Sequence, residues 1–180
     1  RMEVKVHIVT GAVTSAQNIV RSCQKSGLAV KDIVLQQLAS ADAVLNADEK
    51  EIGVCLVDIG GGTTDIAVFA NGSLKHTAVV TIGGDYITSD ISICLRTPSA
   101  EAEKIKKKHG VAMVSLVDPE ETIEIASVGG RRPRIVPKRL LAEIVEPRAE
   151  EILALVYHEL KKSGCIEAIP AGLVLTGGTV

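Results

Sequence analysis

One nonapeptide, Val57-Asp58-Ile59-Gly60-Gly61-Gly62-Thr63-Thr64-Asp65, constrains this chain more than any other segment. A nearly continuous apolar run from Ile52 to Ile59 ends there in an acid and three glycines, and Thr64 to Ala70 returns as a second strand. Glycines carry no Cβ, so the backbone folds tightly and turns successive N–H groups into one concavity suited to a multiply charged anion such as a phosphate. Asp58, closing the strand, is placed to hold Mg²⁺ through water, because that ion prefers few carboxylates and keeps several waters. Thr63 or Thr64 can donate to a phosphate oxygen. A glycine-rich hairpin beside a solvated acid is the plainer reading of the three glycines taken alone.

The rest of the chain reads as layered α/β. Val4 to Val9 alternates as a strand does, Ser15 to Lys25 has helical spacing with Gly27 closing it, and a short strand near Ile33–Leu35 precedes an Ala-rich helix from about Ala39 to Leu45. Beyond the nonapeptide, Asn71-Gly72 turns the chain into a strand from Leu74 to Ile82. Gly83-Gly84-Asp85 leads into a helix over Tyr86–Leu95, and Pro98-Ser99 opens another over Ala100–His109. Thr122 to Val128 reads as a strand, and Gly129 to Arg134 as a basic surface loop. A long amphipathic helix is expected from Pro137 to Lys162, interrupted at Glu146-Pro147-Arg148, before a final buried strand over Gly172–Leu175. Both ends read as cut.

Composition narrows the class. With 46% hydrophobic and 23% charged residues the chain can build a sizeable core. A net charge of −2, one Phe, two Tyr and no Trp argue against nucleic acid as a partner. Cys23, Cys55, Cys94 and Cys165 lie far apart, form no C-x-x-C pair and are expected to be reduced packing residues of a cytosolic protein. No stretch approaches the roughly 18 uninterrupted apolar residues that span a bilayer, so the domain is expected to be soluble.

Two further motifs carry chemistry. Leu173-Val174-Leu175-Thr176-Gly177-Gly178-Thr179 is again a strand emptying into paired glycines, which allow close backbone approach to a flat purine and ribose. In Ala102-Glu103-Lys104-Ile105-Lys106, Glu103 and Lys106 stand three apart and project from one helix face, as ordinary ion pairs on solvated helices also do.

The nonapeptide resembles the second phosphate loop of the actin, hexokinase and heat-shock chaperone ATPases, and Gly177-Gly178 resembles their adenosine loop. Val54-Cys55-Leu56, Thr88-Ser89-Asp90-Ile91, Lys108-His109-Gly110, Ser127-Val128-Gly129-Gly130-Arg131, Leu141-Ala142-Glu143 and Glu146-Pro147-Arg148 extend the resemblance over nearly the whole chain, to the FtsA family of bacterial cell-division proteins. The resemblance implies one lobe of an actin-like (ribonuclease H-like) ATPase fold. Residues 1–96 and 160–180 would form subdomain 2A, and an inserted small α+β subdomain 2B would span 97–159. It implies ATP and Mg²⁺ as cofactors: phosphates at Gly60, Gly61, Gly62, Thr63 and Thr64, the metal at Asp58, and adenosine at Glu103, Lys106, Gly177 and Gly178.

The resemblance also supplies the biology. It implies an adaptor that assembles with itself at the septum through Arg134, and binds the C-terminal tail of the tubulin-like protein FtsZ through Arg148 and Glu151. Later division proteins join it, and it reaches the cytoplasmic face of the inner membrane through a segment absent here. One departure bears on chemistry: where related actins carry a Glu that positions the attacking water, this chain has Gln37, whose amide cannot act as a base. Gln37 can still orient water, so at most slow ATP hydrolysis is expected. A sugar or acetate kinase with the same phosphate loop, or a chaperone-like ATPase, is the alternative.

Overall fold

The structure, a computed structural model, describes residues 2, 6, 8–125 and 132–180. The strand expected over Val4–Val9 lies largely outside the described residues, and its described members Val6, Ile8 and Val9 belong to no strand. Helix α1, Val13–Lys25, ends where Gly27 takes φ +79° and the Leu28 N–H donates back to the Cys23 carbonyl. No residue of α1 is buried. The strand expected at Ile33–Leu35 does not form; among the described residues no strand pairs with it, and the chain runs irregularly into α2, Gln36–Val44.

The apolar run of the sequence conceals a boundary. Its first residue, Ile52, ends helix α3, Ala47–Ile52, which opens on an Asn46/Glu49 capping box. Gly53 then takes φ +118°, and a Cβ there would stand 2.1 Å from the Ala168 carbonyl oxygen, so a glycine must separate helix from strand. Strands β1 (Val54–Ile59), β2 (Thr64–Ala70) and β3 (Ser73–Val80) form an antiparallel meander, and β6 (Leu173–Thr176) adds to β1 in parallel, giving the order β3-β2-β1-β6. The last strand was expected to be buried. As the edge of the sheet it leaves Leu173 and Leu175 49% and 42% exposed.

Strand parity divides the core. Cys55, Val57, Ile66 and Val68 face α4 (Gly84–Cys94), α5 (Ser99–His109) and α6 (Lys138–Lys162), where they meet Ile91, Ile105, Ile152 and Val156. Val54, Leu56, Ala67 and Phe69 face the opposite way, onto Ala41 and Leu45 of α2 and the residue after it. By the same alternation Asp58 and Asp65 turn to the α2 side, opposite each other in the ladder.

A small hairpin of β4 (Thr122–Ile125) and β5 (Arg134–Pro137) packs Ile123, Ile125 and Val136 beneath α6. The expected extension of β4 to Val128, and the turn from Gly129 to Arg131, lie outside the described residues. Arg134, expected in a loop, is the first residue of β5 because Ile135 and Val136 continue the alternation and pair with Glu124 and Ile123. The four cysteines are also not uniform packing residues: Cys55 is buried, Cys23 and Cys165 are partly so, and Cys94 is exposed. Burial, with Cys165 nearby, pushes the Cys55 thiol up to about 12.

Helix α6 runs through Pro147 without interruption over its 25 residues. Proline has no N–H, so the Glu143 carbonyl loses its helical donor. Pro147 is exposed, and its replacement by alanine removes that cost without opening a cavity. Pro147→Ala is expected to raise stability by about 1–3 kcal/mol, read as a shift in the denaturant midpoint at unchanged slope.

Candidate functional site

The turn Gly60–Thr63 is held from behind. The Gly84 and Asp85 amides, first-turn donors of α4 without intrahelical partners, donate to the Gly60 carbonyl at 2.9 Å and the Gly61 carbonyl at 2.8 Å. Thr179 adds its N–H on the Ile59 carbonyl at 3.2 Å and its hydroxyl on the Gly60 carbonyl at 3.0 Å. Side chains are excluded where these elements meet: a Cβ on Gly83 would lie 2.5 Å from both turn carbonyl oxygens, and one on Gly84 2.2 Å from Thr179 Oγ1.

With the Gly60 and Gly61 carbonyls engaged, the amides of the turn remain. The Gly60 N–H closes the turn on the Thr63 carbonyl at 2.9 Å, and no described residue accepts from the N–H groups of Gly61, Gly62 or Thr63, all exposed. A Cβ at Gly62 or Gly178 would meet nothing within 4 Å, so the space before both loops is open. Gly177 is different: at φ +105° it passes so close to β1 that a Cβ would stand 2.4 Å from the Ile59 carbonyl oxygen and 2.7 Å from Asp58 Oδ1. The two glycine loops and the Asp58 carboxylate are therefore brought together at the ends of β1 and β6.

The two expected hydroxyls differ in exposure. Thr64 is fully buried and donates to the Ile82 carbonyl at 2.8 Å; Thr63 is exposed, and its hydroxyl donates to Asp65 Oδ2 at 3.4 Å. Asp58 Oδ2 accepts from Ser40 Oγ at 2.7 Å, and Asp65 Oδ1 accepts from Gln37 Nε2 at 2.7 Å. Burial pushes the Asp65 carboxyl up, opposed by the Thr63 hydroxyl and reinforced by Asp58. Gln37 is 5% exposed and its Oε1 has no partner. Among the described residues no three His, Cys, Asp or Glu side chains cluster to hold a metal directly. Asp58, with its carboxylate beside the Gly177 loop, suits an ion that keeps its waters better than one caged by protein.

Glu103 and Lys106 do make the ion pair of the plainer reading, at 2.7 Å. They are also tied to the site: Lys106 Nζ donates to the Gly84 carbonyl at 2.9 Å and to Thr88 Oγ1 at 2.8 Å, and Thr88 donates to Glu103. Lys106 and Thr88 hold the Glu103 carboxyl down at about 2. Beside Lys106 and Thr179 opens an apolar cavity of about 360 Å³ lined by Ile59, Ile87, Ile152 and Leu175.

The remaining expected residues lie elsewhere. Arg134 donates to the Leu95 carbonyl at the end of α4. Arg148 pairs with Glu151 and also grips Asp90, at 2.7 and 3.2 Å, and lies 5.5 Å from the centre of the Tyr86 ring. Sequence reading passed over Ser40, Asp65, Thr88, Asp90 and Thr179. Parity along β2 offered a signal for Asp65; Ser40 and Asp90 depend on helix docking that spacing does not encode.

The architecture is shared with solved proteins of actin-like fold. ADP-bound MreB5 of Spiroplasma citri superposes with a TM-score of 0.68 at 19% identity, over 93% of this chain and 54% of that one. The ethanolamine utilization protein EutJ of Carboxydothermus hydrogenoformans gives 0.66 at 23% identity, over 94% and 49%. The fold and its paired glycine loops define an actin-like protein. The family model described as "Cell division protein FtsA" matches residues 55–179, and the chain belongs to that family. Cell division protein FtsA of Pseudomonas aeruginosa is 55% identical over 99% of this chain and 43% of its own length. The Escherichia coli K12 and Bacillus subtilis proteins of the same description are 46% and 44% identical, over 44% and 40% of their lengths. The chain thus spans less than half the length of these relatives.

The Glu103 network predicts an acid signature. A carboxyl held at about 2 against an ordinary value of 4.5 stabilises the fold above pH 4.5 and loses that contribution as pH falls toward 2. The side chain is 34% exposed, so solvent screening keeps the effect small. Glu103→Gln is expected to cost at most about 1 kcal/mol at neutral pH and to flatten the loss of stability between pH 4.5 and 2, measured by chemical unfolding across that range.

Proposed function

We propose that this chain is the nucleotide-binding portion of an actin-like cell-division protein, and that the turn Gly60–Thr63 receives the phosphates of ATP. The observation that carries the reading is the set of three consecutive exposed amides without a described acceptor, Gly61 to Thr63, in a loop that meets the Gly177 loop and the Asp58 carboxylate. Magnesium, held through water on Asp58, would neutralise charge between the phosphate oxygens. Thr63 adds a hydroxyl that turns from Asp65 to donate, while Gly177, Gly178, Glu103 and Lys106 border the adenosine. Gln37 Oε1, buried and without a donor, is suited to accept from a water; an amide cannot take that water's proton, so turnover would be slow. Asp58→Ala in the full-length protein is expected to abolish the magnesium-dependent part of ATP affinity. Calorimetric titration with and without magnesium reads this, and wild-type affinity in the variant overturns the assignment.

Family membership supports a larger role. In this reading the full-length protein gathers at the septum, self-associates near Arg134, ties FtsZ polymers to the cytoplasmic face of the inner membrane and meets later division proteins. Residues 1–96 and 160–180 serve as subdomain 2A and residues 97–159 as 2B. Among the described residues no helix is long and apolar enough to cross a membrane, so attachment is assigned to other parts of the longer protein.

Arg148 anchors the FtsZ tail in this reading, with Glu151 beside it. Because Asp90 and Glu151 already neutralise Arg148, an incoming carboxylate must share the guanidinium. Arg148→Glu is expected to weaken tail-peptide binding by about 1 kcal/mol and leave ATP affinity unchanged. A fluorescence titration showing undiminished peptide binding rules this site out.

A further inference from the structure

Asp58 and Asp65 stand directly opposite each other across β1 and β2, an arrangement that like charges disfavour. Helix α2 supplies each acid with a neutral donor: Gln37 reaches Asp65 and Ser40 reaches Asp58, both at 2.7 Å. Three residues apart, the two donors lie on the same helix face, aligned with acids that the sheet has already placed side by side.

We propose that Ser40 is a positioning residue for Asp58. The proposal deepens the reading of Asp58 as the magnesium-holding acid and rests on it. A carboxylate at a strand end can rotate about its last bond, which has broad, roughly two-fold preferences. Donation from Ser40 to Oδ2 removes that freedom and leaves Oδ1 on the side of Gly177, 2.7 Å from where a Cβ would be, with no described donor on it. Among the described residues Ser40 makes its one side-chain hydrogen bond to Asp58, and it acts by fixing which oxygen of that acid lies beside Gly177. It is half-buried on a helix whose Ala41 is fully buried against the sheet, so the hydroxyl is carried by a rigid element.

The test uses the full-length protein as wild type, Ser40→Ala and Ser40→Thr, and measures ATP affinity calorimetrically in magnesium and in chelator, with thermal unfolding of each as a check on folding. Alanine keeps the helix and removes the donor; threonine keeps the donor. Ser40→Ala is expected to reduce the magnesium-dependent gain in affinity about tenfold, the loss of one hydrogen bond to a charged group, with affinity in chelator unchanged and Ser40→Thr restoring the gain. An undiminished gain in Ser40→Ala overturns the proposal. So does an equal loss in magnesium and chelator, which makes Ser40 a structural contact only. If the wild type itself gains nothing from magnesium, the reading of Asp58 fails first and the proposal with it.

Discussion

The donation of two α4 amides to the Gly60 and Gly61 carbonyls is the contact on which the site depends. A tight glycine turn has as many carbonyls as amides, and left to itself would present both. A helix N-terminus needs acceptors and the turn has them to give, so one exchange satisfies both ends and polarises the turn. Its Gly60 and Gly61 acceptors are engaged, and the Gly61 to Thr63 donors keep no described acceptor. Thr179 joins the same exchange from the loop after β6, which fastens the second glycine loop to the first. The glycines at 83 and 84 are explained by this crowding rather than by backbone angles, since a Cβ at either would displace an oxygen.

Much of this was legible in the sequence where apolar alternation was long and its punctuation strong. Strands β1 to β3 and helices α4, α5 and α6 lie close to their expected places because Gly60–Gly62, Asn71-Gly72 and Gly83-Gly84 mark the boundaries. Short segments were not legible. Ile52 is as apolar as Val54, and only the φ of Gly53 assigns one to a helix and the other to a strand. Ile33–Leu35 is β-branched enough to suggest a strand but pairs with no strand among the described residues, a tertiary matter. Arg134 shows the reverse, a basic residue recruited into β5 by the pattern following it.

Within the candidate site, residue types were easier to foresee than commitments. Thr63 and Thr64 are equivalent as letters; burial commits Thr64 to the Ile82 carbonyl and leaves Thr63 exposed. Arg148 looked available on its helix, yet Asp90, 58 residues away, takes two of its donors. Glu103 and Lys106 satisfy both the ordinary ion-pair description and a place at the site, because the pair also bridges to α4. Spacing along a helix shows which side chains share a face, and only packing shows what stands opposite.

Strand parity has one more consequence. Asp58 and Asp65 turn to α2 while Val57, Ile59 and Ile66 turn to the other helices, so a slip of β1 against β2 by a single residue would reverse the face of one strand. Such a slip would drive a carboxylate into an apolar layer with no donor to meet it, at a cost of several kcal/mol. During folding the chain therefore has few competing alignments of its central hairpin. The residues that give the turn its chemistry also serve as its proofreaders.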